Sequence, residues 1–256
     1  MTKIEENSLQ EFVDVVRRLR KECPWDREQT NKSIRHYTIE EVYELAEAID
    51  QGKWDDVKGE LGDILLNVLL HAQIAEDEGK FTLVEMVEAE TRKMIERHPH
   101  VFGDVEARTP DQVKVNWERI KTEAGRESIF DGIPVAFPAL ARAFKIQDRA
   151  ARVGFDWGTA DEVWPKVEEE LRELKDVVGS GDASRIEEEF GDLLFSLVNY
   201  ARHIGVNPES ALRMSTRKFV KRFLYIEDQL DKRKVSLHDA TLEEMNNLWE
   251  ESKKLA

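Results

Sequence analysis

Apolar residues recur every three or four positions along most of this chain, which is the period of an amphipathic α-helix. Ser8 is expected to cap a first helix, which ends near Cys23. One face of this helix carries four apolar residues: Phe12, Val15, Val16 and Leu19. The sequence shows neither the alternation of apolar and polar residues that is typical of strands nor a hairpin turn. The pattern therefore predicts an all-α protein.

Start and stop signals divide the rest of the chain into further helices. Gly52, Gly79 and Pro99 are expected to end helices, and Thr82 to begin one. The predicted helices cover 33–51, 55–78, 82–98, a segment from Thr109, 138–153, 161–178, 183–204, 208–232 and 241–255. The segment 128–137 reads SIFDGIPVAF and is expected to be a linker. This predicts an N-terminal unit over 1–127 and a C-terminal unit over 138–256.

A set of five acidic residues occurs twice with identical spacing. The first set is Glu40, Glu41, Glu44, Glu60 and Asp63; the second lies 129 residues later and is Glu169, Glu170, Glu173, Glu189 and Asp192. The surrounding residues also match, since GELGDILLNVLLHAQ (59–73) corresponds to EEFGDLLFSLVNYAR (188–202). Motifs that are kept while loops change length indicate two tandem helical repeats.

The spacing of these acids favours a metal site in each repeat. Residues three or four apart share a helix face, and a short turn near Gly52 would make the two acid-bearing helices antiparallel neighbours. Carboxylates that converge in this way repel each other unless a cation lies between them, and oxygen-only ligands suit Mg²⁺ or Mn²⁺. The predicted metal ligands are Glu41, Glu44, Glu60 and Asp63 in the first repeat and Glu170, Glu173, Glu189 and Asp192 in the second.

The alternative is that these acids have no specific function and lie on solvent-exposed helix faces, which are common. Against it, Asp63 and Asp192 each lie beside apolar residues that we expect to face the core, where an unpaired acid is costly. Glycines precede both aspartates, Gly62 and Gly191, and would permit close approach of a helix or metal.

Basic and aromatic residues are duplicated as well. In each repeat a Lys precedes an Arg by four positions, and a Trp precedes a Lys by four. A metal cation together with Lys and Arg side chains can bind a triphosphate. The alternatives are that the Lys and Arg residues are merely solvent-exposed and that the Trp residues belong to the core. The candidate nucleotide-binding residues are Lys93, Arg97, Trp117 and Lys121 in the first repeat and Lys218, Arg222, Trp249 and Lys253 in the second.

The composition narrows the choice of partners and compartment. The 256 residues carry a net charge of −15, which disfavours nucleic acids and anionic membranes as partners. No apolar stretch is long enough to span a bilayer, and the N-terminus has no apolar signal core. The single Cys23 excludes an intramolecular disulfide, and together these features favour a cytoplasmic protein.

Several short motifs together span nearly the whole chain. They are CPWDREQT (23–30), EEVYE (40–44), ELGD (60–63), KMIERHPHVFG (93–103), EELRE (169–173), EFGD (189–192), KFVKRF (218–223) and NLWEESK (247–253). In these motifs the chain resembles the two-repeat members of the MazG family of all-α nucleoside triphosphate pyrophosphohydrolases. Two departures leave the acids untouched: Asn31 replaces a His often seen there, and the second repeat has only FDW where the first has CPWD.

The resemblance implies hydrolysis of an NTP or dNTP to the monophosphate and pyrophosphate, with Mg²⁺ as cofactor and a homodimeric helical assembly. On that basis Lys218 and Arg222 clamp the β and γ phosphates, Glu169 or Glu188 orients the attacking water, and Arg185 lies near the nucleotide. The second repeat is expected to carry most of the turnover.

Two other functions stay open at this point. One is a non-catalytic, metal-stabilised regulatory or scaffold protein, and the other is a di-iron oxidase, which the missing Glu-x-x-His motif disfavours. The base and sugar preference and the physiological substrate do not follow from the sequence.

Overall fold

The computed structural model describes residues 3–107, 109, 112, 113, 116, 117, 120 and 128–254, with side chains from Ser8 onward. Every regular element in these ranges is an α-helix, as predicted. The chain divides into two compact units, Met1–Trp117 and Glu118–Ala256. Among the described helices, none combines the length and the apolar content of a membrane span.

The first unit is built around a helical hairpin. Its helices are α1 (Lys3–Glu22), α2 (Pro24–Glu28), α3 (Asn31–Gln51), α4 (Trp54–Asp77), α5 (Leu83–Arg97) and α6 (Pro99–Phe102). The turn between α3 and α4 depends on Gly52, whose φ of +67° lies in the left-handed region that side chains disfavour. Because this turn is short, α3 and α4 pack along each other, and α1 and α5 lie against α4.

The core of the first unit lies between α1, α3 and α4. Its buried members are Val13, Val16, Ile34, Leu69, Leu70 and Ile74. Arg20 fastens α1 to the other helices, since its Nε donates to Asp77 at 2.7 Å and its Nη1 donates to the carbonyl of Gln29 at 3.0 Å.

The second unit repeats the hairpin. Its helices are α7 (Ala139–Arg152), α8 (Ala160–Val178), α9 (Ala183–His203), α10 (Pro208–Lys232) and α11 (Leu242–Lys253). α8 packs along α9, and α7 lies against α9, while α10 and α11 close a second core of Ile226, Leu230 and Leu248. The segment 128–137 is tied to this unit, because Arg149 of α7 donates to the carbonyls of Ile129 and Asp131 at 2.7 and 2.6 Å.

The structure differs from the sequence prediction at three helix ends. Ser8 does not cap α1, because the helix begins at Lys3 and no Gly or Pro in residues 3–7 stops it from extending. Short helices also follow Cys23 and His98, where Pro24 and Pro99 suit a first helical turn. The helix expected from Thr109 lies largely outside the described residues.

Candidate active site

Acidic side chains from α3 and α4 converge in the first unit. Glu41, Glu60 and Asp63 each place a carboxylate oxygen within 4.8 Å of the others. Glu44 lies outside this trio but is close enough for its charge to act on Glu41. Partial loss of solvent, followed by the charges of Asp63, Glu44 and Glu60, raises the pKa of Glu41 above its ordinary value. The pKa of Glu44 is raised in the same way, with Glu60 as the main charged neighbour.

The second unit has a corresponding trio on α8 and α9. Glu170, Glu173 and Glu189 bring carboxylate oxygens within 4.8 Å of one another, and Glu170 is only 6% exposed. Loss of solvent and the charges of Glu173, Glu170 and Asp192 raise the pKa of Glu189. Asp192 is outside the trio but acts on it electrostatically, so all four acids expected as metal ligands meet at one place.

A lysine that the sequence analysis did not single out lies in the second acid cluster. The Nζ of Lys166 donates to Glu170 at 2.8 Å and to Glu169 at 3.1 Å, and these hydrogen bonds raise the pKa of the lysine. The sequence did contain a signal for this contact, because Lys166 precedes Glu170 by four residues, which is about one helical turn. At the equivalent position the first unit has Tyr37, which packs against the apolar core.

Most of the apolar residues beside the two aspartates do not face the core, and for these residues the expectation is wrong. Leu69, six residues after Asp63, is an exception, because it is buried in the core of the first unit. Leu61 and Leu65 are 53% and 37% exposed beside Asp63. Their equivalents on α9, Phe190 and Leu194, are 52% and 39% exposed. In the first unit the core lies on the side of α4 that carries Leu69, Leu70 and Ile74, so the acids border an exposed apolar face. On α9 the equivalent apolar residues beside Asp192 are exposed as well.

The basic and aromatic candidates form pairs in both units. The guanidinium of Arg222 lies 5.4 Å from the centre of the Trp249 ring, and that of Arg97 lies 5.8 Å from the Trp117 ring. Lys253 forms an ion pair with Glu250 at 2.5 Å.

Other basic candidates stand near the surface. Lys93 pairs with Glu90, and Lys218 is exposed on α10. Arg185 is exposed in the first turn of α9, and Lys121 lies outside the described residues. The two glutamates expected to orient the attacking water differ in their surroundings. Glu169 is half-buried and forms an ion pair with Lys166, whereas Glu188 is exposed.

A pocket of about 450 Å³ adjoins the second acid cluster. Glu170, Asp192 and Lys166 form part of its wall. Helices α7, α8 and α9, the turn at 155–157 and Phe130 of the segment 128–137 contribute the remainder. Asp156 in that turn pairs with Arg202 and accepts a hydrogen bond from His203 at 3.0 Å. Although burial opposes the effect, these bonds keep the pKa of Asp156 below its ordinary value. Sequence reasoning missed this network because its members are separated by more than forty residues.

The comparisons with known proteins agree with this geometry. The model of the MazG nucleotide pyrophosphohydrolase domain matches residues 29–102 and 159–224, which include both acid clusters. The chain is 46% identical to the nucleoside triphosphate pyrophosphohydrolase/pyrophosphatase MazG of Thermotoga maritima, over 95% of each chain. It is 41% identical to the nucleoside triphosphate pyrophosphohydrolase of Escherichia coli K12, over 97% of this chain and 98% of that protein.

A third relative is a longer protein that this chain matches over part of its length. Protein YabN of Bacillus subtilis is 45% identical over 94% of this chain, which spans about half (51%) of YabN. The resemblance drawn from the acid motifs is confirmed by these matches, which cover both repeats and nearly the whole chain. This chain therefore belongs to the family of MazG nucleotide pyrophosphohydrolase domains.

Proposed function

We propose that this protein hydrolyses nucleoside triphosphates to the monophosphate and pyrophosphate, with Mg²⁺ as cofactor and with its main active site in the second unit. The observation that carries the proposal is the convergence of Glu170, Glu173 and Glu189 beside a pocket. Membership in a family of nucleotide pyrophosphohydrolases supports the same reaction.

The residues of the second cluster fit a divalent cation. Every candidate ligand is a carboxylate oxygen, which is the donor that Mg²⁺ and Mn²⁺ prefer. The carboxylate of Glu170 is buried and forms an ion pair with Lys166 on the same helix. One positive charge leaves the cluster strongly anionic. When bound, the cation supplies the positive charge that allows a triphosphate to approach these acids and that neutralises charge developing on the phosphate oxygens.

The chain's own residues orient the reactants. Glu169 or Glu188 accepts a proton from a water molecule as its oxygen attacks the α-phosphorus. The bond between that phosphorus and the oxygen bridging to the β-phosphorus breaks, and pyrophosphate leaves with the bonding electrons. Lys218 and Arg222 hold the β and γ phosphates. Trp249 orients Arg222 through the contact between the ring and the guanidinium.

The two units differ in what surrounds the acids, which supports a division of labour. Asn199 on α9 lines the pocket in the second unit, whereas its equivalent in the first unit, Leu70, is buried in the apolar core. The first unit also has Tyr37 where the second has Lys166. We infer that the second unit carries most of the turnover and that the first serves mainly in assembly.

The exposed apolar faces support a homodimer. Four apolar positions are exposed on the first hairpin, and the four residues 129 positions later are exposed on the second. They are Val42, Leu61, Leu65 and Val68, with equivalents Leu171, Phe190, Leu194 and Leu197. Exposed apolar residues repeated on equivalent helices are typical of an interface and support the proposal that two copies of the chain pack through them.

Two glycines point the same way. Gly62 and Gly191 lie within these faces, and a Cβ at either would meet nothing within 4 Å. A Gly within a helix lowers the stability of the fold by about 0.5–1 kcal/mol relative to Ala. Since packing within the chain does not require Gly at these positions, the close approach of a second chain or of the substrate explains its presence better.

The reaction is tested with a panel of NTPs and dNTPs and separate detection of pyrophosphate and orthophosphate. We expect pyrophosphate as the phosphate product, at a rate that excess EDTA abolishes and that Mg²⁺ or Mn²⁺ restores. Orthophosphate alone would refute attack at the α-phosphorus, and full turnover in EDTA would refute the metal requirement.

Crowding of the acids predicts how stability depends on pH. Since the pKa of Glu189 is raised above 4.5 in the folded chain, the folded state holds more protons than the unfolded state just above that pH. Stability contributed by this group therefore falls as pH rises from about 4.5 through the raised pKa. We expect melting temperatures in EDTA to fall less steeply over this range for Glu189→Gln than for the wild type. Added Mg²⁺ should also reduce the fall. Identical slopes for the two proteins would contradict the prediction.

Matched double variants test the division of labour. We expect Glu173→Ala/Asp192→Ala to lower kcat at least about 100-fold, because it removes two carboxylates from the main metal site. Glu44→Ala/Asp63→Ala removes the equivalent pair from the first unit and should cost less than about fivefold. Circular dichroism and light scattering must show that both variants are folded and assembled. Equal losses of turnover would overturn the assignment.

The oligomeric state is tested by placing charge on the repeated apolar face. We expect light scattering to show a dimer for the wild type and a species near 29.7 kDa for Leu65→Lys/Leu194→Lys, because a buried unpaired lysine opposes association. Leu242→Lys is the matched control, since Leu242 is 70% exposed and outside this face. A wild-type monomer at micromolar concentration, or a double variant that stays dimeric, would contradict the proposal.

A further inference from the structure

The pocket beside the second acid cluster has the size and position of a ligand site. Its volume of about 450 Å³ lies in the range of small-molecule sites. Glu170 and Asp192 belong both to the acid cluster and to the pocket wall, so the two spaces are continuous. A molecule with its phosphates near the acids would therefore place its other end in the pocket.

The wall of the pocket is mostly apolar and partly aromatic. Phe155 and Trp157 stand in the turn at 155–157 and remain 81% and 44% exposed. Phe195 and Val163 line the pocket from α9 and α8. Exposed aromatic rings at the side of a pocket suit a flat ring, because stacking on an aromatic face is favourable for every nucleobase.

One polar group in this wall is left without a partner. Gln147 of α7 is only 7% exposed, and its Nε2 donates to the carbonyl of Phe195 at 2.8 Å. Its Oε1 is buried and has no hydrogen-bond partner within the described residues. A buried acceptor that stays unsatisfied destabilises the folded chain, so native proteins rarely keep one without a role. Because Gln147 lines the pocket, a small rotation of its side chain would bring Oε1 to a ligand that donates to it, and that hydrogen bond would remove this destabilisation.

The residues at the wall of this pocket differ in chemistry from their equivalents in the first unit. Val163 and Asn199 of the pocket correspond to Ile34 and Leu70, which are both buried in the closed core of the first unit. Lys166 and Asn199 give the wall of this pocket polar groups where the first unit has Tyr37 and Leu70.

We propose that this pocket binds the base of the nucleotide and that Gln147 Oε1 accepts a hydrogen bond from an exocyclic amino group of that base. The proposal rests on the proposed function, because it takes the phosphates to lie at the acid cluster. It assigns base recognition to α7 and the 155–157 turn, and it makes Gln147 a specificity-determining residue.

Binding of AMP and IMP to the full-length protein tests the proposal without turnover. The two ligands differ in carrying an amino or a keto group at position 6 of the purine. We expect calorimetry with Mg²⁺ to give about tenfold tighter binding of AMP to the wild type, which corresponds to about 1.4 kcal/mol. Gln147→Met keeps the length of the side chain and removes its polar atoms. This variant should bind AMP about tenfold more weakly and IMP nearly as the wild type does.

A second pair of variants tests the pocket itself. Ser196 is buried in the pocket wall, and its equivalent in the first unit is the buried Asn67. We expect Ser196→Leu, which extends into the pocket, to weaken AMP and IMP alike by at least about tenfold. Asn67→Leu should leave both affinities unchanged. Circular dichroism confirms that each variant compared is folded.

The outcomes separate this proposal from the proposed reaction. If Ser196→Leu and Gln147→Met are folded and bind AMP as the wild type does, the pocket assignment is wrong, even if the wild type releases pyrophosphate from NTPs. If AMP binding changes as expected but no NTP yields pyrophosphate, the pocket assignment stands and the proposed reaction fails. Equal binding of AMP and IMP to the wild type would overturn the role of Gln147.

Discussion

The structure depends on one electrostatic constraint, which is that several carboxylates of like charge meet where two antiparallel helices face each other. In each unit the acids come from both helices of a hairpin, so the hairpin itself forces them together. Partial loss of solvent, together with repulsion between the acids, raises the pKa values of Glu41, Glu44 and Glu189. In the second unit the ammonium of Lys166 contacts two of the acids and offsets part of their negative charge. Our proposal that a divalent cation binds each cluster follows from this excess of negative charge.

Duplication kept this constraint and changed what surrounds it. Around the first cluster, Tyr37 and Leu70 pack into or against a closed apolar core. Around the second, Lys166 and Asn199 line a pocket that the acids share. The same helical hairpin thus gives the two acid clusters different neighbours: apolar side chains in the first unit and polar side chains of a pocket wall in the second.

Helices α4 and α9 each carry apolar residues that are buried within their unit and apolar residues that are exposed. One side of α4 packs into the core through Leu69, Leu70 and Ile74. The side next to Asp63 leaves Leu61 and Leu65 exposed, and α9 repeats this with Phe190 and Leu194. A helix that is apolar on both sides has more surface than its own unit can cover. The acid clusters therefore border the faces where we propose that a second chain packs, which would place assembly and catalysis side by side.

The sequence by itself determined the helices, the duplication and the meeting of the acids, because all of these follow from local geometry. Caps, breakers and the 3.6-residue period act within a few residues, and acids three apart on neighbouring helices of a hairpin must converge. Only the tertiary structure decided which apolar side of α4 and α9 faces the core, since periodicity cannot choose between two apolar sides. It also brought Gln147, Asp156 and Arg202 from three separate segments to one pocket. Contacts of this kind depend on how α7 packs against α9, which is a long-range property that no local pattern records.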